Sequence, residues 1–399
     1  MNITDFYILF ILLYYYVQPV VNIRTNHFEC PKRCTCIPDV AEPDRFVISC
    51  KWSSTTITST NKWKQQIFAQ FPLNSTKTLS IECDDDSSSI TSIIFDENLF
   101  HGFKNLQNLR IQKCRTNTFP NSLLHQLTNL RSVYFNQLNV ANEKLILPNE
   151  FFRNNKRLEK LTIVNCNLET LPDSLICDNP YIQVVNVSHN WLQTARLSAN
   201  SDDVNIDNNA GSIFKCNKKA EQLIIFDLSY NHIRSIDDND FIQLVAIRQL
   251  LLANNQITVI SRNALKACSL LQQLHVGNNS IEELPVMPET LIHLDIAWNR
   301  LSIIPSTIAN LPNLLFLNIS GNGIDANTPF PIISSTLQTI DLSRNRFEFI
   351  PQNLFTNSAQ QLKHLLLSYN RITQLETLFF QNYTNLLIVS LMLFFVFVF

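Results

Sequence analysis

The sequence predicts an α/β repeat solenoid, with a parallel β-sheet on a concave side and an irregular, short-helical convex side. Three observations predict it: a segment that returns every 24 residues, an apolar alternation inside that segment, and an asparagine at one fixed place in it. LIIFDLSYNHI starts at Leu223, IRQLLLANNQI at Ile247 and LQQLHVGNNSI at Leu271, each 24 residues after the last. The frame LxxLxLxxNxL continues at Leu291, Leu314, Leu337 and Leu362. Upstream it degrades, at Ile182, Leu158, Leu130, Leu106 and Thr76, with uneven spacing that marks insertions.

Each element of the frame has a physical reason. The fourth and sixth residues, Leu250 and Leu252 for instance, alternate with polar neighbours and so belong to the inward face of a short strand. A single coil cannot bury that apolar edge alone, so coils stack into one continuous core. Leu228, Leu252, Val276 and Ile296 are then expected side by side. The ninth position holds Asn190, Asn231, Asn255, Asn279, Asn299, Asn322, Asn345 and Asn370. An asparagine side chain donates and accepts, so at a bend it can satisfy backbone groups of adjacent coils. Cys114 and Cys166 take that position in two coils and are read as buried thiols rather than a disulfide. Segments such as Asp240 to Leu244 and Ser261 to Ala267 are expected as convex turns.

Composition fits a folded chain: of 399 residues 45% are hydrophobic and 16% charged, with a formal net charge of -2. That balance gives no electrostatic drive toward nucleic acid, and none is expected as a partner. With 5 glycines in the chain, turns that need left-handed backbone fall to other residues. Phe6 to Val17 has the length of a signal-peptide apolar core, although Asp5 precedes it and no Lys or Arg does. Residues 1–22 are therefore expected to be a secretory signal. Acceptor sequons at Asn74, Asn186, Asn278, Asn318 and Asn382 agree with that route.

Residues 28–52 carry CPKRCTC and VISC, with Cys30, Cys34, Cys36 and Cys50. With the array behind it, this motif resembles the N-terminal cysteine-rich cap of extracellular leucine-rich-repeat proteins. The chain is similar to the ectodomains of Toll-like receptors, slit-type guidance proteins and chaoptin-type adhesion proteins. The resemblance implies a horseshoe and disulfides Cys30 with Cys36 and Cys34 with Cys50. A zinc site is the alternative for these four sulfurs. A cap would cover the apolar end and open sheet edge of the first coil.

The array is expected over residues 76–385, with a polar insertion at 191–222 that Cys177 and Cys216 could tether. The insertion reads equally as a functional loop or a spacer. Residues 386–399 form an apolar tail, open between a final repeat, a truncated span and a lipid-anchor signal.

No glycine-rich phosphate loop, HExxH or GxSxG occurs, no catalytic centre, metal site or cofactor is expected, and the protein is read as a non-enzyme. His275 and His293 sit on neighbouring strands but offset along them. Tyr230, His275, His293, Trp298 and Phe316 point outward from the strands and are the candidate ligand-binding residues. Packing of such rings against a neighbouring strand is the bland alternative. Arg110, Lys113, Arg131 and Lys160 project from the same side, offset by Glu82 and Glu159. Glycans at Asn186 and Asn318 would block part of that sheet and leave a lateral or convex site open. The functional expectation is a cell-surface recognition or adhesion protein with a protein or glycoprotein ligand, attached through its tail. A soluble matrix protein, a decoy and a truncated Toll-like ectodomain are the alternatives; a cytosolic adaptor would need reduced cysteines.

Overall fold

The computed structural model describes residues 30–52, 72–83, 95–138, 142–172, 174–195, 219–325, 331, 333–350, 355, 357–373 and 380–391. The expected signal at 1–22, Cys216 with most of the insertion, and residues 392–399 lie outside these ranges.

Strands follow one another in chain order. The hairpin β1 (Cys34–Pro38) and β2 (Phe46–Trp52) leads into β3 (Thr76–Cys83), β4 (Asn108–Gln112), β5 (Ser132–Asn136) and β6 (Lys160–Val164). The coils continue with β7 (Val184–Asn186), β8 (Ile225–Asp227), a lateral β9 (Ser235–Ile236), β10 (Gln249–Leu251) and a lateral β11 (Val259–Ile260). They end with β12 (Gln273–His275), β13 (His293–Asp295), β14 (Phe316–Asn318), β15 (Thr339–Asp341), β16 (His364–Leu366) and β17 (Ile388–Ser390). All but β9 and β11 join one 15-stranded sheet in sequential order. Among the described residues only the β1–β2 pair is antiparallel, and β9 pairs with β11 alone. This is the leucine-rich-repeat horseshoe. Helix is scarce among the described residues: one turn at Leu175–Asp178 and 3-10 turns at Leu73–Ser75 and Ser306–Asn310.

Register explains why the alternation is so strict. Leu250 pairs with Leu274, Leu274 with Leu294 and Leu294 with Leu317, so each inward side chain packs on its equivalent one coil away. Leu228, Leu252, Val276 and Ile296 are all buried beside them. Each such side chain contributes roughly 1.5–3 kcal/mol of apolar burial. In the core of the early coils, Phe119 lies 5.2 Å from Phe135 and 5.4 Å from Phe151.

The ninth-position asparagines form the ladder their chemistry implies. Asn231 Nδ2 donates to Val187 O (3.0 Å) in the preceding coil and to Leu228 O (2.9 Å) in its own. Its Oδ1 accepts from Leu192 N at 3.0 Å. Asn255, Asn279, Asn299, Asn322 and Asn345 repeat the pattern, each accepting from an N–H of the coil before it.

The residue just before the ninth position is left-handed in coil after coil, whether Asn, Cys or Leu follows it. Lys113, Gln137, Asn165, His189, Tyr230, Asn254, Asn278, Trp298, Arg344 and Tyr369 all have positive φ. Gly321 is the glycine in this column, with φ 67°. A Cβ there would lie 2.7 Å from Trp298 Cδ2, so glycine lets the indole lie flat on the next coil.

Cys114 departs from the thiol expectation: it is disulfide-bonded to Cys83 across a Cα–Cα distance of 4.9 Å. Stacking in register brings the end of β3 against the bend after β4, so the missing asparagine rung is replaced by a covalent one. Cys166 keeps its thiol, donating to Val164 O at 3.1 Å, and burial pushes its pKa up to about 12. Cys177 is disulfide-bonded. In the cap Cys30 bonds Cys36 and Cys34 bonds Cys50, pinning the β1–β2 hairpin.

At the other end β17 pairs in parallel with β16, Val389 opposite Leu365. Ile388–Ser390 thus extends the same sheet by one strand.

Candidate functional site: the concave sheet

On the concave face, side chains at the third and fifth positions of each coil stand clear of the core. His293 and Phe316 are directly paired in register, and their rings stack 4.1 Å apart at 14°. His275 is opposite Asp295, offset along its strand from His293. Its ring nevertheless leans across to stack on His293 at 4.7 Å, within the diagonal reach of a long side chain. The three rings form one half-buried row over β12, β13 and β14.

Trp298 and Tyr230 do not join that row. Both sit in the left-handed column where the strands end, in two separate stacks. Tyr230 stacks on His189 at 4.1 Å. Trp298, 54% exposed, lies 5.7 Å from the Arg344 guanidinium, which covers the Tyr369 ring at 4.1 Å. Sequence reading missed His189, Arg344 and Tyr369. The signal was present, because all three precede a ninth-position asparagine, but it lies in a column of coils and not in any one segment.

The basic residues near the N-terminus are partly neutralised. Lys113 pairs with Glu82 at 2.7 Å and Arg131 with Glu159. Arg110 covers the Tyr134 ring at 4.2 Å and donates twice to Gln112 Oε1.

Asn186 and Asn318 occupy fifth positions. Their Oδ1 atoms accept from the backbone N–H and hydroxyl of Ser188 and of Ser320 respectively. Asp227, Asp295 and Asp341 make the same backbone turn at equivalent places, so only the acceptor oxygen is needed there. Asn278 Nδ2 instead donates to Asn254 Oδ1, while Asn74 and Asn382 are exposed. Among the described residues, no group of three His, Cys, Asp or Glu is placed to hold a metal ion.

The ring row responds to pH. Burial lowers the pKa of His275 below the ordinary 6.5, against the opposing charges of Asp295 and Asp227. Burial also lowers that of His293, with the neighbouring His275 adding to the effect and Asp295 opposing it. Above the ordinary imidazole value both folded and unfolded chains carry neutral rings, so the full stability is present. As pH falls below it, the unfolded chain takes up protons that the folded rings resist, and stability is lost toward the lowered folded values. A urea midpoint should therefore fall between pH ~7.5 and ~5.5, and fall less in a His275→Gln, His293→Gln variant. An equal fall in both proteins would remove these rings as its source.

This fold and its asparagine ladder define a leucine-rich-repeat protein. The family described as "Leucine rich repeat" matches residues 215–257 and 335–391, and that described as "Leucine Rich Repeat" matches 290–311. Among its relatives, opticin of Mus musculus is 32% identical over 134 residues, 33% of this chain and 40% of opticin. The chain thus spans less than half the length of that relative. Two solved structures share the fold. Toll from the Drosophila Toll–Spatzle complex gives a TM-score of 0.60 at 17% identity, covering 90% of this chain and 53% of that one. The TLR13–ssRNA13 complex gives 0.58 at 19% identity, covering 79% and 46%.

Proposed function

We propose that the protein is an extracellular recognition or adhesion protein that holds a protein ligand on its concave sheet. One observation carries the reading: His275, His293 and Phe316 form a pre-stacked row of rings on the solvent-facing concave sheet. Rings already packed lose little freedom on binding, and such groups anchor protein interfaces. The disulfides suit an oxidising compartment. Toll, which shares the fold, is solved with Spatzle. The TLR13–ssRNA13 complex keeps RNA as the rival ligand, which the net charge alone does not dismiss.

The same face serves a chain held at a membrane or released as a matrix protein or decoy. Among the described residues no helix is long and apolar enough to cross a membrane. The pairing of Ile388–Ser390 with β16 supports a final repeat there over an anchor. A glycan on Asn318, two residues from Phe316, would border the row and restrict the approach of a ligand.

The test is to secrete the full chain from animal cells and probe an array of extracellular domains, with single-stranded RNA in parallel. Phe316→Ala and His293→Ala are expected to weaken the strongest protein hit at least ~10-fold. Val259→Ala, on the lateral sheet, should leave it unchanged. Retention of RNA alone, or protein binding indifferent to Phe316 and His293, would overturn the proposal.

A further inference from the structure

We propose that the cap end of the concave face is a second, independent binding site, which takes sulfate ester groups of an acidic polysaccharide. A cleft of about 510 Å³ lies there, lined by residues of the cap hairpin and of β3 and β4. One cross-strand row forms its floor: Thr35 faces Ser49, Ser49 faces Ser80, Ser80 faces Arg110, and Arg110 faces Tyr134. Arg33 and Lys51 also line it, with Glu82, Gln112 and the Cys34 and Cys50 pair. The cleft therefore presents three cations and three hydroxyls, of which that of Thr35 donates to Ser49 O.

The acceptors in this cleft are largely committed. Glu82 bonds Lys113, and that contact, with the nearby charge of Lys51, keeps its carboxyl ionised below the usual range. Gln112 Oε1 takes two bonds from Arg110, which leaves the guanidinium its remaining donors. The site is donor-rich, and its best complement is a group that only accepts. A sulfate ester is such a group; a peptide is not, because its backbone N–H groups would need acceptors here. Nor can a peptide add as a strand within β2 to β4, where only the outer edge of β1 beside them is open. β2 is already paired with β1 and β3, β3 with β2 and β4, and β4 with β3 and β5.

The walls are preorganised. The Cys34–Cys50 disulfide crosses the lining, Lys51 N donates to Arg33 O at 2.9 Å, and Tyr134 supports the Arg110 guanidinium from below. Arg33 is held at φ 68°, a conformation that glycine would adopt at less cost. The volume exceeds what one sulfate fills, which favours several esters along a chain over a free ion.

The test uses the secreted full chain and three probes. These are a fully sulfated heparin dodecasaccharide, the same oligosaccharide after desulfation, and a poly-glutamate peptide. The sulfated probe alone should bind, and more weakly as salt rises. Lys51→Ala with Arg110→Ala should lower its affinity about tenfold or more. Lys51→Glu, at an exposed position, should abolish binding without touching the Tyr134 stack. Phe316→Ala should leave it intact, which separates this site from the ring row. Absence of binding to the sulfated probe, equal binding of poly-glutamate, or an affinity unmoved by Lys51→Glu would overturn the assignment.

Discussion

Asn231→Ala is expected to cost about 2–4 kcal/mol, well above the loss of an exposed polar side chain. Its amide serves two coils at once: Nδ2 reaches Val187 O and Leu228 O, and Oδ1 holds Leu192 N. Truncation leaves Leu192 N buried without its acceptor, worth about 1–3 kcal/mol, and takes one of two amide donors from each carbonyl, since Asn190 Nδ2 still reaches Val187 O and Asn255 Nδ2 still reaches Leu228 O. Water cannot replace the amide, because Asn231 is almost fully buried. Urea unfolding of the variant should show a midpoint well below that of Gln256→Ala, an exposed site one coil further on. Similar midpoints for the two would mean that the ladder is ornamental and the apolar edge alone sets coil stacking.

The second large effect concerns the covalent rung. Removing the Cys83–Cys114 bridge by a paired Cys→Ser substitution should cost about 3 kcal/mol, the range for closing a loop of this size. Its sequence separation is 31. The damage should concentrate in the first coils, where the cap and β3 depend on that joint. Thiol labelling of unreduced, denatured protein gives an independent reading. Cys166 and Cys268, free and buried in the fold, should label, and Cys83 and Cys114 should not. Labelling of Cys114 would restore the thiol expectation and remove the bridge.

Much of this architecture is legible in the residues, and the limits of that reading are physical. The strand faces follow from Leu250 and Leu252 because a two-residue alternation has one solution when the neighbouring coil supplies the core. The ladder follows from the recurring asparagine because its hydrogen-bonding groups match a bend between stacked coils. The Cys83–Cys114 bond is not legible in the same way. Cys83 belongs to the weakest repeat, whose register is fixed only once β3 pairs with β2 and β4.

The candidate site divides along similar lines. Phe316 and His293 share a repeat position, so their contact follows from register. His275 differs from them in position, and its stacking depends on side-chain length and sheet geometry that a repeat alignment does not carry. Arg344 escaped notice because a cation between two aromatic coils has no local signature; only the column of Trp298, Gly321, Arg344 and Tyr369 gives it a role. The tail at 386–399 reads as one apolar run, yet Leu386 keeps the frame, and the pairing of β17 with β16 seats its first residues in the sheet.

Everything rests on coils stacked with equivalent residues side by side, and cross-linking reads that directly. Gln249 and Gln273 are registered partners on adjacent strands. Cysteines at both should fall within the ~4.4–6.8 Å Cα separation that a disulfide requires. Gln249→Cys with His275→Cys, offset by two residues, should exceed it. Rapid oxidation of the first pair and little of the second, mapped by non-reducing peptide analysis, is the predicted result. Equal bridging in both pairs, or bridging in the offset pair alone, would contradict the register on which the ring row, the ladder and the cap cleft all depend.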